Sequence, residues 1–361
     1  MKRRTFLKAA ATSAAATATL AFPNVIIAQR NVQWDMATSW PQALDTLYGG
    51  AEYFAERVSA LTGGRFRIVP SPAGKFGPGT AVPDLVAQGA VPIGHTAAYY
   101  AIGKAPVTGI ATGLPFGMTL RQMNAWFYEG EGLKLLQEYY AKRFGTIAFI
   151  AGNSGTQMGG WFRKEIKTLE DLKGLKMRIA GPGGEVMKRL GVTVQTIPPN
   201  EIFQALQTGA VDAVEWVGPY DDEKLGFQRI ARYYYYPGWW EPAAALEIQV
   251  NLKEWAKLPK EYQEAIRSAA LEINMLIPAR YDARNAAALK RLQAAGVQLR
   301  PFPKSILDAA KKVSDEIFSS IAERDTDYKR IFESWRRFKT ETDAWFGLNE
   351  FAMESYLFGK M

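Results

Sequence analysis

Four short segments hold the side chains best suited to chemistry. Gly152-Asn-Ser-Gly-Thr-Gln-Met-Gly-Gly160 presents the amide of Gln157, and Lys176-Met-Arg-Ile-Ala-Gly181 sets Arg178 inside an otherwise apolar strand. Val211-Asp-Ala-Val-Glu-Trp216 ends an apolar run on Glu215 and Trp216, and Trp239-Trp-Glu241 repeats the pairing of indole and carboxylate. A guanidinium matches a carboxylate through two parallel hydrogen bonds. Two carboxylates and an amide oxygen make a set of oxygen ligands for a hard cation. Such a cation, set between Glu215, Glu241 and a substrate carboxylate, offsets their mutual repulsion. Each residue also has a plainer reading. Arg178 can be an edge-strand arginine with its head in water, and Glu215 and Glu241 can be rim charges.

The remaining polar residues narrow the chemistry. The chain has no Cys and a single His, His95. Thiolate nucleophiles, disulfides and zinc-thiolate sites are excluded, as is catalysis on paired histidines. His95 lies on an apolar strand and reads first as a satisfied core residue. Gly181-Pro-Gly-Gly184 lacks the Lys-Ser/Thr of a phosphate loop. Asp221-Asp-Glu223 reads as a solvated turn, and Tyr233 to Tyr236 reads as core or pocket wall. Lys and Arg number 44 against 36 Asp and Glu, with no basic tract fit to follow a phosphate backbone, so nucleic acid is not an expected partner.

Elements must bring these segments together. Val32 to Thr38 alternates as a strand, Asp45 to Leu61 has helical spacing, and Arg65 to Pro70 is a second strand. Strand-helix-strand units build parallel sheets, whose strand ends hold ligands. Asp84-Leu-Val-Ala-Gln-Gly-Ala-Val-Pro-Ile93 reads as helix, glycine turn and strand. Gln204-Ala-Leu-Gln-Thr-Gly-Ala-Val-Asp-Ala213 repeats that plan. Each helix is expected to stop at a left-handed glycine, Gly89 or Gly209. Two similar α/β lobes follow from this repetition in a chain of 361 residues. From about Leu258 the pattern is helical, interrupted at Pro278 and at Val297 to Pro303. Two long amphipathic stretches, Ile306 to Arg324 and Tyr328 to Phe346, are expected to wrap the lobes or to pair with another chain.

The first 28 residues form an address. Arg3-Arg-Thr-Phe-Leu-Lys8, an Ala/Thr-rich middle and a small residue at Ala28 resemble a twin-arginine export signal cut after Ala28. An uncleaved anchor is the alternative. The rest of the chain is expected to work outside the cytoplasm.

With these segments in view, a family resemblance is evident. Leu172-Lys-Gly-Leu-Lys-Met-Arg178, Glu215-Trp-Val-Gly-Pro-Tyr220 and Pro237-Gly-Trp-Trp-Glu241 resemble the solute-binding proteins of tripartite ATP-independent periplasmic (TRAP) transporters. The likeness is greatest to the branch that binds 2-oxo or 2-hydroxy monocarboxylates such as pyruvate and lactate. It implies a type II-like, two-lobed α/β periplasmic binding protein with hinge strands and long C-terminal helices. It places residues 31–153 with about 239–280 in one lobe, 154–238 with about 281–327 in the other, and 328–361 in a C-terminal helix able to make a homodimer. By the same resemblance Arg178 pairs with the ligand carboxylate. Gln157, Glu215, Glu241 and the Trp216 carbonyl hold a sodium or calcium ion that also touches the ligand. Tyr100, Asn153 and Phe116 are candidates for the remaining walls. The implied partner is a TRAP membrane permease, and the implied location is the periplasm.

Other functions stay open at this point. An exported enzyme could use Glu215 and Glu241 as paired carboxylates in glycoside hydrolysis. A sensory binding protein would present the same ligand to a receptor.

Overall fold

The computed structural model describes residues 31–359. The export segment and its cut after Ala28 lie outside them. Eleven strands follow in order: β1 (Val32–Thr38), β2 (Phe66–Ser71), β3 (Ile93–Thr96), β4 (Thr146–Asn153), β5 (Trp161–Phe162), β6 (Lys176–Arg178), β7 (Thr193–Gln195), β8 (Ala213–Val214), β9 (Tyr233–Tyr236), β10 (Ala245–Asn251) and β11 (Gln298–Pro301). They form two sheets, ordered β2-β1-β3-β10-β4 and β11-β9-β5-β8-β6-β7. In the first sheet β1 runs parallel to β2 and β3, and β10 is antiparallel to β3 and β4.

The repeated helix-glycine-strand plan is present in both sheets. Helix Val82–Ala87 precedes Gly89 (φ +75°) and β3, and helix Ile202–Thr208 stops at Gly209 (φ +77°) before β8. β3 lies parallel to β1, and β8 lies parallel to β6. The left-handed turn lets each chain reverse from helix to strand without a Cβ penalty.

Helix Lys260–Ala294 is 35 residues long. It packs on helix Tyr48–Leu61 and β4, and farther along on helix Pro219–Leu225. Its Ile266 and Ile273 share a core with Phe54, Phe66, Ile93 and Ile248. The expected interruption at Pro278 does not occur, for Pro278 lies buried inside the helix. Packing on both neighbours outweighs one lost backbone hydrogen bond.

Three helices finish the chain: Lys304–Arg324, Thr326–Leu348 and Glu350–Phe358. The first packs on helix Gly181–Arg189 and the second on helices Val107–Thr112, Leu120–Tyr128 and Gly132–Phe144. Tyr328, Ile331 and Trp335 are buried there, so this tail wraps the body as expected. The last helix buries none of its residues and exposes Phe351, Met353, Tyr356, Leu357 and Phe358.

Candidate functional site

Arg178 is the centre of the site. It ends β6, and β6 is flanked by β7 and β8 rather than lying at an edge. The expectation of an edge arginine with its head in water therefore fails, since its side chain is only 1% exposed. Its Nη1 donates to the Glu215 carbonyl (2.6 Å) and to Glu215 Oε2 (3.0 Å), and its Nε donates to the Ile197 carbonyl (3.3 Å). Nη2 is buried and has no partner among the described residues. The guanidinium carbon lies 5.3 Å from the centre of the Trp216 ring.

Glu215 follows β8 directly, and its backbone N–H donates to the Arg178 carbonyl at 3.0 Å. That bond continues the β6–β8 ladder by one residue and fixes the carboxylate beside the guanidinium. Glu215 and Glu241 are both buried, not rim charges. Glu215 is pushed up to about 7 by burial, against the pull of Arg178. Glu241 is raised well above the usual carboxylate range by burial and then by the charge of Glu215, with Arg178 and Gln157 opposing. Buried like charges with a single cation between them behave this way.

Gln157 sits in the loop after β4. Its N–H donates to the Glu241 carbonyl (3.2 Å), and its carbonyl accepts from Gly238 N–H (2.8 Å). Its side-chain Nε2 donates to Ser154 Oγ at 3.1 Å, which aligns the amide. Three oxygens then remain buried and without a hydrogen-bond partner among the described residues: Gln157 Oε1, Glu215 Oε1 and Glu241 Oε2. A buried acceptor left unpaired costs about 1–3 kcal/mol. Unpaired buried oxygens of this kind suit a hard cation. No three His, Cys, Asp or Glu side chains of the described residues converge as metal ligands. An amide and carbonyl oxygens would therefore have to complete the shell.

The walls come from both sheets. Tyr100 follows β3, and its buried hydroxyl has no hydrogen-bond partner among the described residues. Burial raises it to about 12 while Arg178 draws it down, which places the phenol in the same electrostatic group. Asn153 ends β4. Its Oδ1 accepts from Gly155 N–H (2.8 Å), and its Nδ2 is left unpaired. Phe116 packs on Trp239. Their rings stack at 5.2 Å, and Phe116 N–H donates to the Trp239 carbonyl at 2.8 Å. Trp216 is buried and meets Trp40 edge-on at 6.5 Å. Trp40 had no place in the sequence reading, although it lies just past β1 at the carboxyl end of a parallel strand, the position that marks ligand sites.

His95 is the core residue the sequence implied. Its Nδ1 accepts from Trp40 Nε1 (2.9 Å), its Nε2 meets the Ala151 carbonyl (3.0 Å), and burial lowers it to about 4. Tyr234 and Tyr235 are likewise buried in the core. The solvated turn at Asp221-Asp-Glu223 is a misreading. Asp221 and Asp222 are buried in helix Pro219–Leu225, because the Gly218-Pro219 entry turns that helix back toward β8 and β9.

Two sheets that both contribute to one buried polar group define an α/β ligand-binding protein of the two-lobed periplasmic class. The chain belongs to family 7 of the bacterial extracellular solute-binding proteins, whose profile matches residues 36–325. It is 49% identical over 361 residues to the monocarboxylate 2-oxoacid-binding periplasmic protein of Nostoc sp., covering 99% of each chain. A TRAP solute-binding protein of Bordetella bronchiseptica, a mixed-occupancy dimer with copurified calcium and picolinate, superposes with a TM-score of 0.90. It is 45% identical, over 91% of this chain and 98% of that one. A TRAP solute-binding protein of Pseudoalteromonas atlantica with bound sodium and pyruvate gives 0.87 at 37% identity, over 90% and 98% of the two chains.

Proposed function

We propose that the protein captures a small 2-oxo monocarboxylate such as pyruvate, or the related lactate, and delivers it unchanged to a TRAP permease. The observation that carries this reading is the set of buried, unpaired polar atoms on Arg178, Gln157, Glu215 and Glu241. Arg178 Nη2 supplies a free charged donor for a ligand carboxylate. The oxygens of Gln157, Glu215 and Glu241, with the Trp216 carbonyl, would hold a cation that neutralises charge beside the ligand. Tyr100, Asn153 and Phe116 complete the walls. Similarity to proteins holding pyruvate or picolinate with sodium or calcium supports the same assignment.

Sodium or calcium would serve, since either offsets the negative charge that Glu215, Glu241 and a ligand carboxylate bring to one guanidinium, and buried net charge is costly. The lobes divide as the resemblance implies, 31–153 with about 239–280 and 154–238 with about 281–327, and close on the ligand about their crossing segments. The twin-arginine signal delivers the folded protein to the periplasm.

Titration calorimetry tests this reading. Pyruvate should bind with calcium present, and affinity should fall tenfold or more, roughly, after chelation and dialysis free of sodium and calcium. The same acid should be recovered unaltered. Equal affinity in both buffers would remove the cation from the site.

A further inference from the structure

The one histidine of the chain is not among the residues read as touching ligand or cation, yet it ties together two segments that frame them. His95 lies on β3, opposite Thr38 of β1 on one side and Ile248 of β10 on the other. Its buried ring is bonded at both nitrogens, Nδ1 to Trp40 Nε1 at 2.9 Å and Nε2 to the Ala151 carbonyl at 3.0 Å. An indole N–H only donates, and a carbonyl oxygen only accepts. Nδ1 is therefore the bare nitrogen and Nε2 the protonated one, a single tautomer of the neutral ring. The Ala151 end of this bridge lies in β4, two residues before Asn153. The Trp40 end lies just past β1 and reaches the second sheet. Trp40 is buried and meets the Trp216 ring edge-on, with centres 6.5 Å apart and planes at 73°. Trp216 in turn has the Arg178 guanidinium carbon 5.3 Å from its centre. Trp216 Nε1 is buried with no hydrogen-bond partner among the described residues, so no hydrogen bond of its own fixes how that ring lies.

We infer that His95 is a positioning residue for the ligand site: by accepting from Trp40 Nε1 it locks the Trp40 indole against Trp216, so that a side chain of the first sheet sets the wall beside Arg178. The inference rests on the reading of Arg178 and Trp216 as ligand-facing. A buried indole whose N–H is paired holds one ring orientation, and pairing elsewhere would leave the imidazole nitrogen unsatisfied. Trp216 has only its ring contacts to keep its face toward the guanidinium, and the edge of Trp40 is one of them. Imidazole suits the post because one rigid ring accepts on one side and donates on the other. Trp40 and the β4 backbone are thus held by a single side chain.

Nitrogen NMR of the full chain, purified without a histidine tag, reads the pairing first, since one imidazole gives one set of ring signals. Without ligand, Nε2 should carry the proton and Nδ1 should be bare and hydrogen-bonded. A proton on Nδ1 overturns the proposal with no variant made. Trp40→Phe removes the donor and should shift the Nδ1 signal toward that of a free lone pair; an unmoved signal overturns it too. Pyruvate titration with calcium then reads the consequence. The carbonyl of an asparagine stands about where Nδ1 does, and the amide of a glutamine about where Nε2 does. His95→Gln should weaken pyruvate roughly tenfold in the parent and by less than about twofold in the Trp40→Phe background. His95→Asn keeps an acceptor for Trp40 and should bind several-fold more tightly than His95→Gln. Additive losses, or an asparagine variant as weak as the glutamine one, would reduce His95 to a core residue. Where the His95 variants do not fold, the ring signals of the parent and of Trp40→Phe decide the pairing. The expected ring signals in a parent that binds no pyruvate would uphold the pairing and tell against the ligand assignment alone.

Discussion

At the scale of single residues, the site turns on how many of Arg178's donors are already engaged. Nη1 and Nε are committed to Glu215 and Ile197, and Nη2 is free. A lysine at this position keeps the charge but gathers its donors on one nitrogen and lacks the planar fork that spans Ile197, Glu215 and a ligand. Arg178→Lys should therefore weaken pyruvate roughly ten- to hundredfold in calorimetry, the worth of one charge-assisted hydrogen bond. A drop smaller than threefold or so would mean that charge alone recruits the anion. Glu215→Gln should weaken calcium and pyruvate together, because the carboxylate that pairs with the guanidinium is also the proposed ligand of the cation. Much of this was legible in the sequence. Arg178, Glu215, Gln157 and Glu241 were singled out as types that bind carboxylates and hard cations, and the structure gathers them. The burial of Arg178 and Asp221 was not legible. A three-residue strand such as β6 has no periodicity that separates an edge from the middle of a sheet, and Asp221's hydrogen-bond partner Tyr281 lies 60 residues away in the chain.

Among elements, the helix Gly181–Arg189 is the point where close approach matters most. A Cβ on Gly183 would stand 2.5 Å from Trp240 Cβ, and one on Gly109 would stand 2.8 Å from Pro182 Cγ. The Gly-Pro-Gly-Gly stretch, empty of phosphate chemistry, is thus a packing face set against Trp240 and helix Val107–Thr112. Gly183→Ala should cost about 1–3 kcal/mol of stability through overpacking and weaken pyruvate binding, as Trp240 adjoins Glu241. Gly103→Ala, with nothing within 4 Å of its added Cβ, is the control. Equal melting temperatures for the two variants would show that the face yields freely. Helix and strand positions were well marked by glycine stops and apolar spacing. The continuity of the long helix through Pro278 and the short helix over Asp221 were not, because both depend on tertiary packing that local pattern does not carry.

For the whole molecule, pH and association are the accessible properties. Glu247 sits buried in β10, accepts from Tyr140 (3.1 Å) and Gln249 (2.8 Å), and is raised by burial from 4.5 to about 7 despite those donors. Its folded state holds a proton that its unfolded state has released, so stability falls as pH rises from 4.5 to about 7. Each unit within that window costs up to about 1.4 kcal/mol. Denaturant unfolding of Glu247→Gln should accordingly lose less stability than the parent between the two ends of the window; parallel losses would place the effect elsewhere. The exposed Phe351, Met353, Tyr356, Leu357 and Phe358 make the last helix the proposed dimer contact. Removing residues 350–361 should give monomers in light scattering with pyruvate binding retained. The chain also passes between the two sheets repeatedly. β10, the antiparallel strand between β3 and β4 of the first sheet, is made only after β5 to β9 of the second, and β11 completes the second after the long helix. Neither half is therefore a consecutive stretch that could be excised and expressed by itself. A ribosome that stopped between β5 and β10 would release two unfinished sheets, and the two scaffolds are not both whole until β11 has been made.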